Sequence, residues 1–227
     1  MNSVNIAIFA SGSGSTAEAF IRDVAKNQYS LQVKLVICNN PQAFILERIQ
    51  SLNDELGLAV VTAVLNSHTQ PSALPVVHGQ QTAEEQARIL TLLNEHNIDL
   101  VLLLGYMKQV GAELVASYGW LPDYPSVYEC RMLNTHPGLL PATIGTHGLG
   151  TQEFTLNQHM EEGGQTLHAV STEYDTGPTI SEHRVAVLPD DTAESLFARV
   201  QSTEKAHIAA DVVAFLEAQQ MYRKERV

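Results

Sequence analysis

Basic residues are scarce in this sequence. Thirteen Lys and Arg against 25 Asp and Glu leave a formal net charge of −12 over 227 residues. A protein that grips nucleic acid through its phosphates needs clustered Lys and Arg, so nucleic acid is not an expected partner. A small anionic ligand stays open, because the backbone amides of one helix start can hold it. Cysteine is nearly absent too. Cys38 and Cys130 are too few for a disulfide framework and lack zinc-pair spacing, which predicts a reduced, cytoplasmic protein. No apolar run approaches the roughly 20 residues of a membrane span. The segment Met1-Asn2-Ser3-Val4-Asn5 has no basic region and runs straight into a strand-like stretch, so neither a membrane nor a signal peptide is expected. The remaining composition, 44% hydrophobic and 17% charged, is that of a chain able to bury a full core.

The hydrophobic pattern alternates strands with helices. Ile6–Ala10 reads as a strand ended by Ser11-Gly12-Ser13-Gly14-Ser15, and Ala17, Phe20, Ile21 and Val24 then fall on one helical face. A second strand is predicted at Val33–Cys38, a helix from Asn39-Asn40-Pro41 to Leu56, and a third strand at Gly57–Val61. The polar stretch Asn66–Gln80, with Pro71 and Pro75, reads as a loop. Further on come a helix over Thr82–His96, a doubly apolar strand Asp99–Leu104 and a helix near Gly111–Tyr118. A surface loop at 119–129 precedes a strand at Met132–His136. A helix around Gln152–His159, strands at Thr166–Thr172 and Thr179–Val187, and a final helix from Asp190 towards Glu217 complete the chain. This order predicts a single α/β domain: a mostly parallel twisted sheet, helices on both faces, and an antiparallel portion near the C-terminus.

Three places carry chemistry. Gly12-Ser13-Gly14-Ser15-Thr16-Ala17 fits G-x-G-x-x-G/A at a strand–helix junction, where glycines allow a tight turn and unpaired N–H groups face an anion. A dinucleotide site needs an acidic residue about 20 positions on, and Cys38-Asn39-Asn40 stands there, which favours a single phosphate. Asn134 and His136 end a strand and point to one face, with Thr135 on the other. A carboxamide beside an imidazole can stabilise an oxyanion and move a proton. Asp175 sits in the turn Tyr174-Asp175-Thr176-Gly177-Pro178; brought near His136, it is expected to favour the imidazolium and raise the histidine pKa. His168, alternating with apolar neighbours, reads as a core histidine, and His207 as surface or helix packing.

In this order, Ser11–Ser15, Leu104-Gly105-Tyr106-Met107-Lys108, Leu133-Asn134-Thr135-His136-Pro137-Gly138-Leu139-Leu140-Pro141, Asp175-Thr176-Gly177-Pro178 and Arg199-Val200-Gln201-Ser202-Thr203-Glu204 give the chain its family likeness. From Ile6 to about Phe215 it resembles the folate-dependent phosphoribosylglycinamide formyltransferases, within the wider formyltransferase superfamily.

That resemblance implies formyl transfer from 10-formyltetrahydrofolate, as co-substrate, to the amine of 5-phosphoribosylglycinamide in purine synthesis, with no metal. It implies Gly14, Ser15, Thr16, Gln201 and Glu204 for the ribonucleotide. Met107, Lys108, Gln109, Val110, Asn134, Ser171, Thr172, Glu173, Tyr174 and Asp175 are implied for the folate, and Asn134, His136 and Asp175 for catalysis. The same resemblance implies a Rossmann-like domain over residues 1–227, with a phosphate-binding half (1–104), a folate-binding and catalytic half (105–227), and a monomer or homodimer. Thr16 stands where the family usually has Asn, and Lys108 where it often has Arg. The stretch Ala142–Gln152 diverges from the family pattern, keeping a Gly-x-His at Gly145-Thr146-His147.

Alternative readings are a formyltransferase for another amine, such as an amino sugar nucleotide, and a non-catalytic nucleotide or folate binder. A metallohydrolase drawing on His136, His147, His159, His168, His183 and Asp175 is disfavoured, because no tight ligand motif is present.

Overall fold

Strand β1 (Val4–Ala10) lies inside the molecule because its side chains from Ile6 to Ala10 are apolar on both faces and all buried. The structure is a computed structural model that describes residues 3–226; Met1 and Asn2, the start of the segment read for a leader, and Val227 lie outside them. Beside β1 stand β2 (Leu31–Cys38), β3 (Val61–Val64), β4 (Leu100–Leu103), β5 (Met132–His136), β6 (Glu162–Ala169) and β7 (Thr179–Ala186), in the order β3-β2-β1-β4-β5-β6-β7. Pairing is parallel from β3 through β5, whereas β5–β6 and β6–β7 are antiparallel. The sequence pattern predicted this α/β arrangement.

The helices are α1 (Ser15–Asn27), α2 (Ile45–Leu56), α3 (Ala83–Glu95), α4 (Ala112–Tyr118), α5 (Leu149–Asn157) and α6 (Ala193–Lys224). On one sheet face, Ile6, Ile8 and Ala10 pack with Phe20 of α1, Ile49 of α2 and Ile208, Val212 and Phe215 of α6. On the other, Ala7 and Phe9 meet Ile89 and Leu93 of α3 and Leu114 and Val115 of α4. Strand order reverses between β1 and β4, and in open sheets of this kind ligands bind at the carboxyl ends of the strands beside that point.

Several boundaries differ from the sequence reading for identifiable reasons. Helix α2 begins at Ile45, not at Asn39, because Asn40 folds a turn of its own, its Oδ1 accepting from the Gln42 N–H at 3.0 Å. Strand β3 occupies Val61–Val64 rather than Gly57–Val61. Gly57 ends α2 in the left-handed region, and the Asn53 side chain takes both the N–H and the C=O of Val60 at 3.0 and 2.9 Å. The backbone before Val61 is therefore committed to α2. Strand β6 starts at Glu162, four residues before the predicted Thr166, and ends at Ala169. Its first half, Glu-Gly-Gly-Gln, carries no apolar alternation to read. Helix α5 starts earlier, at Leu149, and α6 runs on to Lys224. The extra turns of α6 are held by Gln219, whose Nε2 donates to the carbonyls of Tyr128 and Cys130 at 2.8 and 2.9 Å.

Candidate active site

A cleft of about 570 Å³ opens where β1, β4 and β5 end. At one end is the glycine turn. Gly14 has φ 69°, and a Cβ there would lie 2.1 Å from Ile45 Cδ1, so the turn requires glycine twice over. No side chain caps α1, leaving its first-turn amides to the cleft. The turn is braced from behind: the Ile45 N–H donates to Gly12 O at 3.2 Å, and Arg48 Nε to Ser13 O at 2.9 Å.

The opposite wall of this end comes from α6. Thr16 Oγ1 donates to Glu204 Oε2 at 3.2 Å, and the Thr135 hydroxyl also bonds that carboxylate. Burial nevertheless pushes Glu204 above the usual carboxylate range. Thr135 reaches α6 because β5 alternates, turning it away from Asn134 and His136 as the sequence predicted.

In the middle stand Asn134, His136 and Asp175. Asp175 Oδ2 lies 3.4 Å from His136 Nδ1, and Oδ1 lies 3.5 Å from both Asn134 Nδ2 and His168 Nε2. Asp175 sits in a left-handed turn at φ 56°. Burial alone would raise its pKa, but the hydrogen bond to His168, the nearness of the two imidazoles of His136 and His168, and the Gly145 N–H outweigh it, and the carboxylate titrates below its usual range. His136 behaves differently from the sequence expectation. The Asp175 charge does favour the imidazolium, but burial of the ring is the stronger effect and holds its pKa below the ordinary histidine value. The imidazole rests neutral at neutral pH. Its other nitrogen, Nε2, is 2.9 Å from Thr143 Oγ1.

The third part is a pair of loops. After β4, Gly105 takes φ 76°, and Met107 N–H donates to Ser11 Oγ at 2.8 Å. Gln109 Nε2 donates to Thr172 O at 3.2 Å, tying Met107–Val110 to the Ser171–Asp175 turn. That turn closes on itself through Ser171 Oγ and Thr176 Oγ1, 2.8 Å apart.

All the residues singled out from sequence line this one cleft: Gly14, Ser15, Thr16, Met107–Val110, Asn134, His136, Ser171–Asp175, Gln201 and Glu204. His168, read as a core histidine, is indeed buried with both ring nitrogens partnered, but it also belongs to the site. It lines the cleft, paired with Asn134 across the β5–β6 ladder, Nε2 2.9 Å from Asn134 Nδ2. Its alternation with Leu167 and Ala169 was the available signal, once β6 is known to pair with β5. Thr143 was not singled out, and nothing in its sequence context marks it. His183 lies apart, 2.9 Å from Asp211 on α6 and stacked on His207.

Comparison with known proteins matches these elements as a unit. The formyl transferase family model covers residues 4–213. The chain belongs to the formyl transferase family. Among curated relatives, the phosphoribosylglycinamide formyltransferase of Bacillus subtilis (strain 168) is 30% identical over 199 residues, 87% of each chain. That of Mycobacterium tuberculosis (strain ATCC 25618 / H37Rv) is 31% identical over 209 residues, 92% of this chain and 83% of the relative. The crystal structure of phosphoribosylglycinamide formyltransferase from Bacillus halodurans superposes with a TM-score of 0.75 at 32% identity, covering 93% of this chain and 95% of that one.

Proposed function

We propose that this formyl transferase moves the formyl group of 10-formyltetrahydrofolate to the amine of 5-phosphoribosylglycinamide, a step of purine synthesis. The observation that carries this reading is the position of the Asn134–His136–Asp175 cluster, between an uncapped helix start suited to a phosphate and a two-loop wall suited to a flat heterocycle. The names of the relatives point to the same acceptor. Gly14, Ser15 and Thr16 hold the phosphate, and Gln201 and Glu204 face the rest of the ribonucleotide. Met107–Val110 and Ser171–Asp175 enclose the folate. We read residues 1–227 as one catalytic unit, with 1–104 supplying the phosphate turn and 105–227 the folate walls and the catalytic group.

The amine nitrogen attacks the formyl carbon, and the carbonyl oxygen becomes an oxyanion. Asn134 Nδ2 donates to that oxyanion; loss of such a donor typically costs about 3–4 kcal/mol of barrier. The amine proton is taken up by the His136–Asp175 pair. As the carbon–nitrogen bond to folate breaks, that proton passes to the leaving folate nitrogen. Because His136 rests neutral beside a charged Asp175, the pair can accept a proton first and return it afterwards.

The test is a spectrophotometric assay of 10-formylfolate turnover with 5-phosphoribosylglycinamide and a panel of other amines. Turnover with the ribonucleotide, abolished in His136→Ala, is the expected result. Turnover with an amino sugar nucleotide instead would reassign the acceptor, and donor binding without turnover would make the chain a binder.

A further inference from the structure

The folate-side loop carries a charged group that the reaction does not use. Lys108 lines the cleft, and among the described residues lining it Lys108 is the single lysine or arginine. Its ammonium is turned inward. Nζ lies 2.7 and 2.6 Å from the two oxygens of Glu85, on the first turn of α3. Glu85 is wholly buried and the Lys108 side chain is 13% exposed. The Glu85 backbone N–H donates to Thr82 Oγ1, and Lys108 supplies both hydrogen bonds to the Glu85 carboxylate.

A buried carboxylate stripped of its cation is strongly destabilising, whereas an exposed ion pair returns little. Lys108 therefore cannot leave Glu85 to meet an anion in the cleft without a net loss. The other charged side chains along the cleft are Glu173, Asp175 and Glu204, all acidic. Outside it, Glu84 lies in the first turn of α3 and Glu113 in the first turn of α4, and Arg88 of α3 pairs with Glu95 at 3.6 Å.

A folate donor ends in a glutamyl tail bearing two carboxylates, and each added glutamyl unit brings another. We propose that Glu85 is a positioning residue that withholds Lys108 from this tail, so that the site selects its donor by the heterocycle and is indifferent to tail length. This rests on the folate reading above. The clamp also fixes the Met107–Val110 loop, since Lys108 follows Met107, whose N–H is held by Ser11. The loop is thus pinned to β1 by a neutral hydrogen bond and to α3 by a charge pair.

The experiment compares monoglutamyl and triglutamyl 10-formyltetrahydrofolate with the full-length protein, by calorimetric binding and by turnover. For the unaltered protein, affinities and kcat/KM for the two donors should agree within about threefold and show little dependence on salt, as for a site with no free cation. Glu85→Gln releases the ammonium's charge. It should create a triglutamyl preference of about tenfold that salt screens, which a merely structural role for Glu85 would not do. The double variant Glu85→Gln/Lys108→Met strands no buried charge and gives an independent reading should Glu85→Gln fail to fold. It should change the affinity for both donors alike and leave their ratio unchanged. A tenfold triglutamyl preference in the unaltered protein that the double variant abolishes would overturn the proposal while leaving formyl transfer intact. Failure of either donor to bind would overturn both readings.

Discussion

Asn134 and His168 face each other across the antiparallel β5–β6 ladder, with 2.9 Å between Nδ2 and Nε2. His168 Nδ1 lies 3.0 Å from the Ala169 carbonyl, which can only accept. The ring is thus held on the Ala169 side, while Nε2 faces both Asn134 Nδ2 and, at 3.5 Å, Asp175 Oδ1. The carboxamide is thereby held in one orientation in the cleft wall, its Nδ2 between His168 Nε2 and Asp175 Oδ1. An oxyanion donor gains its value from such prior orientation.

His168→Ala is expected to lower kcat by about tenfold to a hundredfold, because Asn134 would keep its donor and lose its orientation. Binding of the phosphate end should not change. Steady-state kinetics with varied acceptor checks this; an unaltered kcat would mean that Asn134 needs no partner.

The pH dependence follows from His136 and Asp175. With His136 held below the ordinary histidine value of about 6.5, the acid limb of kcat/KM should have its midpoint below that value. Asp175→Asn removes the charge that favours the imidazolium. The acid limb should then shift to still lower pH, while the rate falls by about 10²–10⁴-fold through loss of proton transfer. Stability changes in the same direction. His136 binds its proton more readily when unfolded, and Asp175 when folded keeps its charge below its usual range, so both favour the folded state less as pH falls. A pH–rate profile of the two proteins tests the kinetic part.

Sequence carried the parallel sheet because strand and helix periods alternate cleanly from Ile6 to Leu104. It also carried Asn134 and His136, because strand alternation puts them on one face. What it could not carry depends on partners remote in the chain. The burial of His136, which reverses its expected pKa shift, comes from elements closing over β5 and from Thr143, seven residues on. His168 looks like core until β6 is placed against β5. Glu85 looks like an ordinary first-turn acid on α3 until the loop after β4 delivers Lys108 to it.

Glu204 should cost stability in the ligand-free protein. Its folded-state pKa is raised, so between the ordinary glutamate value and that raised value the folded state holds more protons, and stability falls as pH climbs through the window. Glu204→Gln keeps an oxygen to accept from Thr16 and Thr135 and removes the charge. Melting near neutral pH should rise by about 2–4 °C for each kcal/mol recovered, while the KM for the acceptor rises. Calorimetry at pH 4.5 and 7.5 provides the check, since the gain should shrink at the lower pH.

Gly177 fixes where Asp175 sits. A Cβ on Gly177 would lie 1.8 Å from the Ala169 carbonyl oxygen, which ends β6, and the Ala169 N–H already donates to Pro178 O at 2.9 Å. Strand β6 is hydrogen-bonded on both edges, to β5 and β7, so it cannot give way. In Gly177→Ala the turn must move instead and take Asp175 with it. A displacement of about 1 Å at a reacting group costs on the order of 10²-fold in rate, so kcat should fall that far although every catalytic side chain is present. The phosphate turn lies on α1, at the other end of the cleft, and acceptor affinity measured by calorimetry should stay as it was. Retention of full kcat would show that the 3.4 Å separation of Asp175 from His136 is not what sets the rate.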